Sequence, residues 1–384
     1  MQKILNKSEC TGCTACFNIC PKSAIEMIED KNGFKHPNII EEKCINCGLC
    51  KKTCPILKFK ENKSENKSYV GYAKDKKYTD NSSSGGIFPL IAEKILNENG
   101  IVIGAAFDNR NLVHIAIENK NELNKLKGSK YLQSDLNNIF KFIKDNVKDK
   151  KILFVGLPCQ VAGLKSFLDK DYENLLCIDL ICHGVPSPKL FYKYLEEIEE
   201  KYNNKVIKYD FRDKSSGWDT YSNSITLNNK KITELHQNNA YIRLFLSNIA
   251  LRESCYNCNF KLGNKYSDIT LGDFWGVNKY YPEFYNKRGV SAIIINTKKG
   301  KEYFENIKEQ MKYKECSLEE IIEGNPMLIK SAEYSKKRNE FFYDMDSNKI
   351  GKLVNKYTKK TNNNIVKRIL KKILKILKIV KTKI

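Results

Sequence analysis

The sequence predicts a chain in two folded parts with a basic end. A small cysteine-rich module comes first, then a larger mixed α/β domain, then an amphipathic C-terminal helix. Three observations predict this. Eight of the 14 cysteines fall in the first 54 residues, in one spacing used twice. From Tyr69 onward, short apolar runs alternate with helix-period segments, as in a sheet covered by helices. Residues 365–384 place apolar side chains at helical spacing among eight Lys and Arg.

The first element is residues 1–57. Cys10, Cys13, Cys16 and Cys20 are followed by Pro21, and Cys44, Cys47, Cys50 and Cys54 by Pro55. Each set reads C-x2-C-x2-C-x3-C-P, the run that holds 4Fe–4S clusters in two-cluster ferredoxins. Three thiolates at i, i+3 and i+6 on a turning loop reach three irons of one cubane. The fourth cysteine is carried off by the next turn to the other cluster. One cluster therefore takes Cys10, Cys13, Cys16 and Cys54, and the other takes Cys44, Cys47, Cys50 and Cys20. A zinc site would favour paired C-x2-C units instead. No secretory signal precedes the cysteines, which argues against an oxidising compartment and a disulfide scaffold. Residues 24–28 and 34–37 fit the short hairpin of a bacterial-ferredoxin-like module. The polar run 58–68 (KFKENKSENKS) reads as a linker.

The second part is residues 69–345. Ser82-Ser83-Ser84-Gly85-Gly86 precedes a helix over Ile87–Asn97. Strands follow over 101–107 and 112–118, then a helix over 136–147. KILFVG (151–156) is a short buried strand, and Pro158-Cys159 opens a helix through Leu168. Residues 175–181 are another apolar strand, leading into Cys182-His183-Gly184-Val185-Pro186, and 190–201 are helical. Further strands are expected at 206–212, 222–227, 267–271 and 290–296, with a helix over 240–250. Residues 346–384 form a basic tail holding the helix 365–384.

Composition narrows the function. The net charge is +22, and Lys is spread throughout. No focused patch or known module supports a nucleic-acid partner. No run of about 18 apolar residues spans a membrane. The expected location is cytoplasmic, with the tail on the inner membrane face. A helix with that much lysine beside an apolar stripe suits an anionic membrane surface; docking on its own domain or on a partner is the alternative.

Several groups in the large domain are candidate sites. Ser84, Gly85 and Gly86 open a helix where backbone N–H groups and the dipole favour an anion, such as a flavin or nucleotide phosphate. A plain serine N-cap is the alternative. Lys130 and Tyr131, in KGSKY, suit a pyrophosphate or ribose, or form a lysine-rich surface loop. Cys159 and Cys182 follow neighbouring strands and should lie close together. With the C-x2-C pair Cys255 and Cys258 they could ligate a third 4Fe–4S cluster, a zinc ion or a redox disulfide. Cys177 and Cys316 read as incidental thiols. His183 is a candidate proton donor or a structural histidine. Asp273, in LGDFW, orients a cofactor or caps a turn.

Together these residues resemble the beta subunits of coenzyme F420 hydrogenases and dehydrogenases, a group that extends to formate dehydrogenase beta subunits and plant hydroxymethyl-chlorophyll reductase. The resemblance runs from Cys10 to about Asn325. It rests on the doubled cysteine motif, Ser84-Gly85-Gly86, Lys130-Tyr131, GLPCQVAGL (156–164), CHGVPSP (182–188), Cys255-x2-Cys258 and DITLGDFW (268–275). It implies FAD held beside iron–sulfur clusters. It implies an oxidoreductase taking electrons from a ferredoxin-type donor, with surface-polysaccharide synthesis as one setting by analogy. The alternative is an electron-transfer subunit without its own substrate, docked on a catalytic partner.

Overall fold

The structure is a computed structural model and describes residues 3–59, 67–261 and 266–358. Thirteen strands occur among them. The hairpin β1 (Ile25–Glu29) and β2 (Lys35–Ile39) belongs to the cysteine-rich module, with Met27 opposite Pro37. The large domain holds β3 (Lys67–Ala73), β4 (Ile101–Asp108), β5 (Asn111–Ile117), β6 (Ile152–Gly156), β7 (Leu175–Leu180), β8 (Val206–Asp213), β9 (Ser222–Leu227), β10 (Lys231–Leu235), β11 (Ile269–Asp273), β12 (Ser291–Ile295) and β13 (Met311–Cys316).

Eight of these form one sheet in the order β13-β3-β12-β11-β7-β6-β4-β5. Its centre, β11-β7-β6-β4, is parallel, and both flanks are antiparallel. The central strands read as unbroken apolar runs because helices cover both faces; Leu153, Phe154, Leu176 and Ile178 are all fully buried. A second sheet, β10-β9-β8, packs Tyr209, Phe211 and Ile225 against the helices Pro188–Tyr202 and Ala240–Leu246. The chain is therefore a mixed α/β protein preceded by a small cysteine-rich module that carries its own two-stranded hairpin.

Local chemistry sets the helix ends. The helix Ile87–Asn97 has its expected bounds, and Gly86, at φ 79°, starts it. The helix Pro158–Leu168 begins on a proline, and the Gln160 side chain accepts a hydrogen bond from the Leu157 amide at 2.8 Å. Ser187 caps the helix Pro188–Tyr202 by accepting from the Leu190 amide at 3.3 Å.

Three strands lacked a clear sequence signal. β13 exposes most of its length at the sheet edge, so it has no alternating apolar pattern. β10 is likewise an exposed edge, and β3 starts inside the lysine-rich run assigned to the linker. Residues 350–357, placed by sequence in the tail, form a helix that buries Ile350, Leu353 and Val354 in the same core as Tyr241 and Ile242. The expected amphipathic helix 365–384 lies outside the described residues. Among the described residues, no helix is long and apolar enough to cross a membrane.

Candidate metal centres

The two cysteine loops of the module share one backbone design. Gly12 and Thr14 flank Cys13 with positive φ (71° and 61°), and Asn46 and Gly48 flank Cys47 likewise (54° and 73°). Two left-handed residues around a central cysteine curl the loop into a cup, which glycine and asparagine tolerate best. Short helices then start at Ala15 and Leu49 and carry the third cysteine of each loop back towards the cup.

The fourth cysteines cross over. Cys10, Cys13, Cys16 and Cys54 line one cavity. Cys20, Cys44, Cys47 and Cys50 line the other. This is the grouping expected from the spacing. The cavities differ in exposure: Cys47 is exposed, whereas Cys13 and Cys54 are buried. Burial, with Cys10 and Cys54 close by, pushes the Cys13 thiol up to about 12. Cys16 is driven up by the same causes. These thiols hold their protons at neutral pH, so a metal must displace protons in order to bind.

Among the described residues, no three His, Cys, Asp or Glu side chains converge as ligands of a single metal ion. The cysteines ring a cavity instead.

A third cavity lies at the C-terminal ends of the parallel strands. Cys159 follows β6, Cys182 follows β7, and Cys255 and Cys258 come from the loop after the helix Ala240–Leu246. All four line this cavity, and His183 lines it too. Burial, then the proximity of Cys258, Cys182 and Cys255, raises the Cys159 thiol well above its ordinary value. Burial pushes Cys255 up to about 12. Cys177 packs in the core of β7, and Cys316 lies on β13, apart from this group. His183 Nε2 pairs with Asn248 Oδ1 at 2.6 Å, and burial lowers its pKa.

The third cavity abuts the first. The helix Pro158–Leu168 passes so close that a Cβ on Gly163 would stand 2.9 Å from both Cβ and Sγ of Cys13. Arg252, 1% exposed, lines the third cavity and reaches into the module. Its Nε donates to the Cys10 carbonyl at 2.7 Å and its Nη1 to Gln133 Oε1 at 3.0 Å. Its Nη2 donates to the Lys35 carbonyl at 2.8 Å and lies 3.8 Å from Cys10 Sγ. Gln133 in turn donates to the Thr11 carbonyl at 3.0 Å. Burial works against ionisation of Cys10, but the His36 hydrogen bond and the Arg252 charge bring its pKa below the ordinary value. Neither Arg252 nor Gln133 carried a sequence signal, since a single buried polar residue has no periodicity.

The residues expected to hold a flavin lie elsewhere. Ser84 Oγ donates to the Val290 carbonyl at 2.7 Å, and the Gly85 amide donates to Ser291 Oγ at 2.9 Å. Lys130 Nζ donates to the carbonyls of Lys125, Leu126 and Lys127, and burial pulls its pKa down to about 7. Asp273 receives Arg212 on both oxygens, at 2.9 and 3.3 Å, and Trp218 Nε1 at 2.6 Å. Arg212 also donates to Tyr131 OH at 3.3 Å and to the Ser83 carbonyl at 3.3 Å. Its guanidinium lies over Tyr221 and Trp275, and Trp275 stacks on Trp218. Ser83, Tyr131 and Asp273 thus meet around Arg212, which sequence reasoning did not single out. Lys130 points away, capping the end of the helix Leu123–Leu126.

Ferredoxin-type cysteine loops on a mixed α/β domain define an iron–sulfur protein of the electron-transfer type. The C-terminal half of the chain is similar to the coenzyme F420 hydrogenase/dehydrogenase beta subunits. Residues 149–321 match the family that describes the C-terminal part of that beta subunit, and residues 9–56 match the 4Fe–4S dicluster domain. Coenzyme F420-dependent sulfite reductase of Methanocaldococcus jannaschii is 24% identical over 384 residues, covering 92% of this chain and 55% of that protein. The chain thus spans about half the length of that relative. Subunit VorC of ketoisovalerate oxidoreductase from Methanothermobacter marburgensis is 33% identical over 56 residues, 14% of this chain and 71% of VorC. A chain of the F420-reducing [NiFe] hydrogenase complex from Methanosarcina barkeri is 17% identical with a TM-score of 0.45, covering 77% of this chain and 92% of that one.

Proposed function

We propose that this chain is an electron-transfer subunit that docks on a catalytic partner. The carrying observation is the run of three cysteine-lined cavities, from the exposed one at Cys47, through the buried one at Cys13, to the inner one at Cys159. When bound, 4Fe–4S clusters supply one-electron transfer at such sites. Cys10, Cys13, Cys16 and Cys54 would hold one cluster, and Cys20, Cys44, Cys47 and Cys50 a second. Cys159, Cys182, Cys255 and Cys258 would hold a third. The protein's own contribution is to fix spacing, exclude water and set the charge around each cavity.

Two findings support a partner. The matching family is described as a beta subunit, and the sulfite reductase extends well beyond the part this chain matches. A ferredoxin-type protein is the proposed donor, docking at the exposed Cys47 side. Reduced coenzyme F420, named in the relatives, is the first small-molecule donor to assay.

The resemblance to the beta subunits extends the proposal to FAD. Ser84, Lys130 and Asp273 already bond within the protein, so no step is assigned to a flavin here, and flavin per chain is the check. His183, bonded to Asn248, is assigned no proton transfer. The segment 365–384 is proposed to hold the protein on an anionic membrane; co-sedimentation with phosphatidylserine vesicles, lost on its removal, tests this. A surface-polysaccharide setting predicts loss of that polymer on gene deletion.

The deciding experiment is anaerobic purification with iron, sulfide and flavin analysis, followed by turnover assays. About twelve irons, reducible by dithionite, with turnover only when a partner is added, is the expected result. About eight irons would remove the inner site. Multiple turnover of small acceptors by the isolated, FAD-loaded chain would replace the subunit reading with an autonomous flavoenzyme.

A further inference from the structure

Arg252 is a buried cation without a carboxylate. Among the described residues, its partners are the carbonyls of Cys10 and Lys35, Gln133, the His36 ring at 3.3 Å and Cys10 Sγ, with the Phe34 ring beneath it. Arg212, equally enclosed, differs in facing Asp273 directly. Arginine stays charged at any accessible pH, and a buried, unpaired charge is strongly destabilising. The fold places it here nonetheless, between Cys10 and the wall of the inner cavity. Asp30 stands one side chain removed, its Oδ2 3.1 Å from His36 Nε2, but among the described residues no carboxylate touches the guanidinium itself, so it lacks a direct negative counter-charge.

An iron–sulfur cluster supplies such a charge. Four thiolates outweigh the net charge of the iron–sulfide core, so the group is anionic and becomes more so on reduction. Its potential responds to nearby charge and to hydrogen bonds on its sulfurs. Resting on the iron–sulfur reading above, we propose that Arg252 is a positioning residue that raises the reduction potential of the cluster in the Cys10 cavity. Its fixed positive charge favours the state with one extra electron there. The reductant supplies that electron, no covalent bond changes, and no proton is transferred. Among the described residues, the cavity at Cys47 has no such buried arginine; it opens to water and is lined by Lys22 and Lys51, whose charges solvent screens. The two ferredoxin-type sites are thereby made unequal: at the buried one Arg252 offsets part of the cost that burial puts on the added electron.

The test is an EPR-monitored redox titration of the full chain with dithionite, alongside iron and sulfide analysis. In Arg252→Gln, one cluster should titrate lower by at least a tenfold change in its reduced-to-oxidised ratio, which is 59 mV for one electron. The signal removed by Cys20→Ser should not move, and Arg252→Lys should recover more than half of the shift. Unchanged midpoints in Arg252→Gln overturn the proposal. If that variant fails to fill the Cys10 cavity, wild-type protein labelled with 15N-arginine decides. Pulsed EPR of the reduced protein should show guanidinium nitrogen coupled to the cluster, and no coupling overturns the proposal. Wild-type protein that takes up no cluster in this cavity overturns the iron–sulfur reading itself, and this inference with it.

Discussion

Replacing Asp273 by Asn should destabilise the large domain sharply. Arg212 is 2% exposed at its side chain and Asp273 15%, so the pair is nearly dry. Burial disfavours the guanidinium charge, but the Asp273 carboxylate together with Tyr131 and Tyr221 more than offsets this and holds Arg212 charged. The carboxylate accepts three hydrogen bonds, two from Arg212 and one from Trp218. Asparagine keeps one acceptor oxygen and loses the charge. Removing one partner of a buried pair costs about 3–5 kcal/mol, and the slight exposure of Asp273 points to the lower end, about 3 kcal/mol. For a domain of this size that is a fall in Tm of about 6–12 °C. Thermal unfolding of the anaerobically purified protein, followed by circular dichroism at neutral pH, reads it. The double variant Arg212→Met/Asp273→Leu should cost clearly less than the two single changes added together, since no charge is then stranded. A drop below about 2 °C for Asp273→Asn, or full additivity in the double variant, refutes the reasoning.

Crossed ligation predicts that Cys20→Ser and Cys54→Ser each abolish a different cluster, and not the one belonging to their own loop. Cys20→Ser should remove the EPR signal also lost in Cys47→Ser, while Cys54→Ser should remove the one lost in Cys13→Ser; the opposite pairing would refute the crossover. Gly163→Val should empty the Cys10 cavity, because the new side chain occupies the space of Cys13, and iron content should fall by about four per chain; an unchanged iron content counts against the close approach. His114 is buried on β5 against Phe154, with no partner for Nδ1 among the described residues, and burial lowers its pKa from 6.5 to about 4. Between those values the unfolded chain binds the extra proton, so stability falls as pH drops from 6.5 towards 4. The loss is about 2 kcal/mol by pH 5. In His114→Phe that part of the acid sensitivity should vanish, and denaturant titrations at pH 7 and pH 5 showing the same loss as wild type would exclude it.

Much of this site could be read from the chain because the signals were local. The doubled cysteine spacing fixes which thiols share a cavity, since a three-residue step around a cup leaves the fourth cysteine nowhere to go but across. Cys159 and Cys182 could be paired because apolar runs at β6 and β7 predict adjacent parallel strands, whose ends carry them to one edge. The groups that the sequence did not expose act across long separations. Arg212 meets Asp273 from another sheet, and Arg252 meets Cys10 from 242 residues away. Neither has a spacing to reveal it. Edge strands such as β13 were hidden for a different reason. Half-exposed, lysine-rich segments look like loops until a neighbouring strand supplies the hydrogen bonds.

The cysteine-rich module is fastened to the large domain at several points. Asn18 donates to the Asn137 carbonyl at 2.9 Å, Thr53 to the Ser166 carbonyl at 3.2 Å, Ser187 to the Asn32 carbonyl, and Lys35 pairs with Asp135. Such a module cannot work as a swinging arm that loads at one place and delivers at another. The gaps between its cavities are set by packing, so every tunnelling distance inside the chain is fixed when it folds. Any adjustment of rate must then come from outside, from how closely and how long a partner rests against the face where Cys47 is exposed.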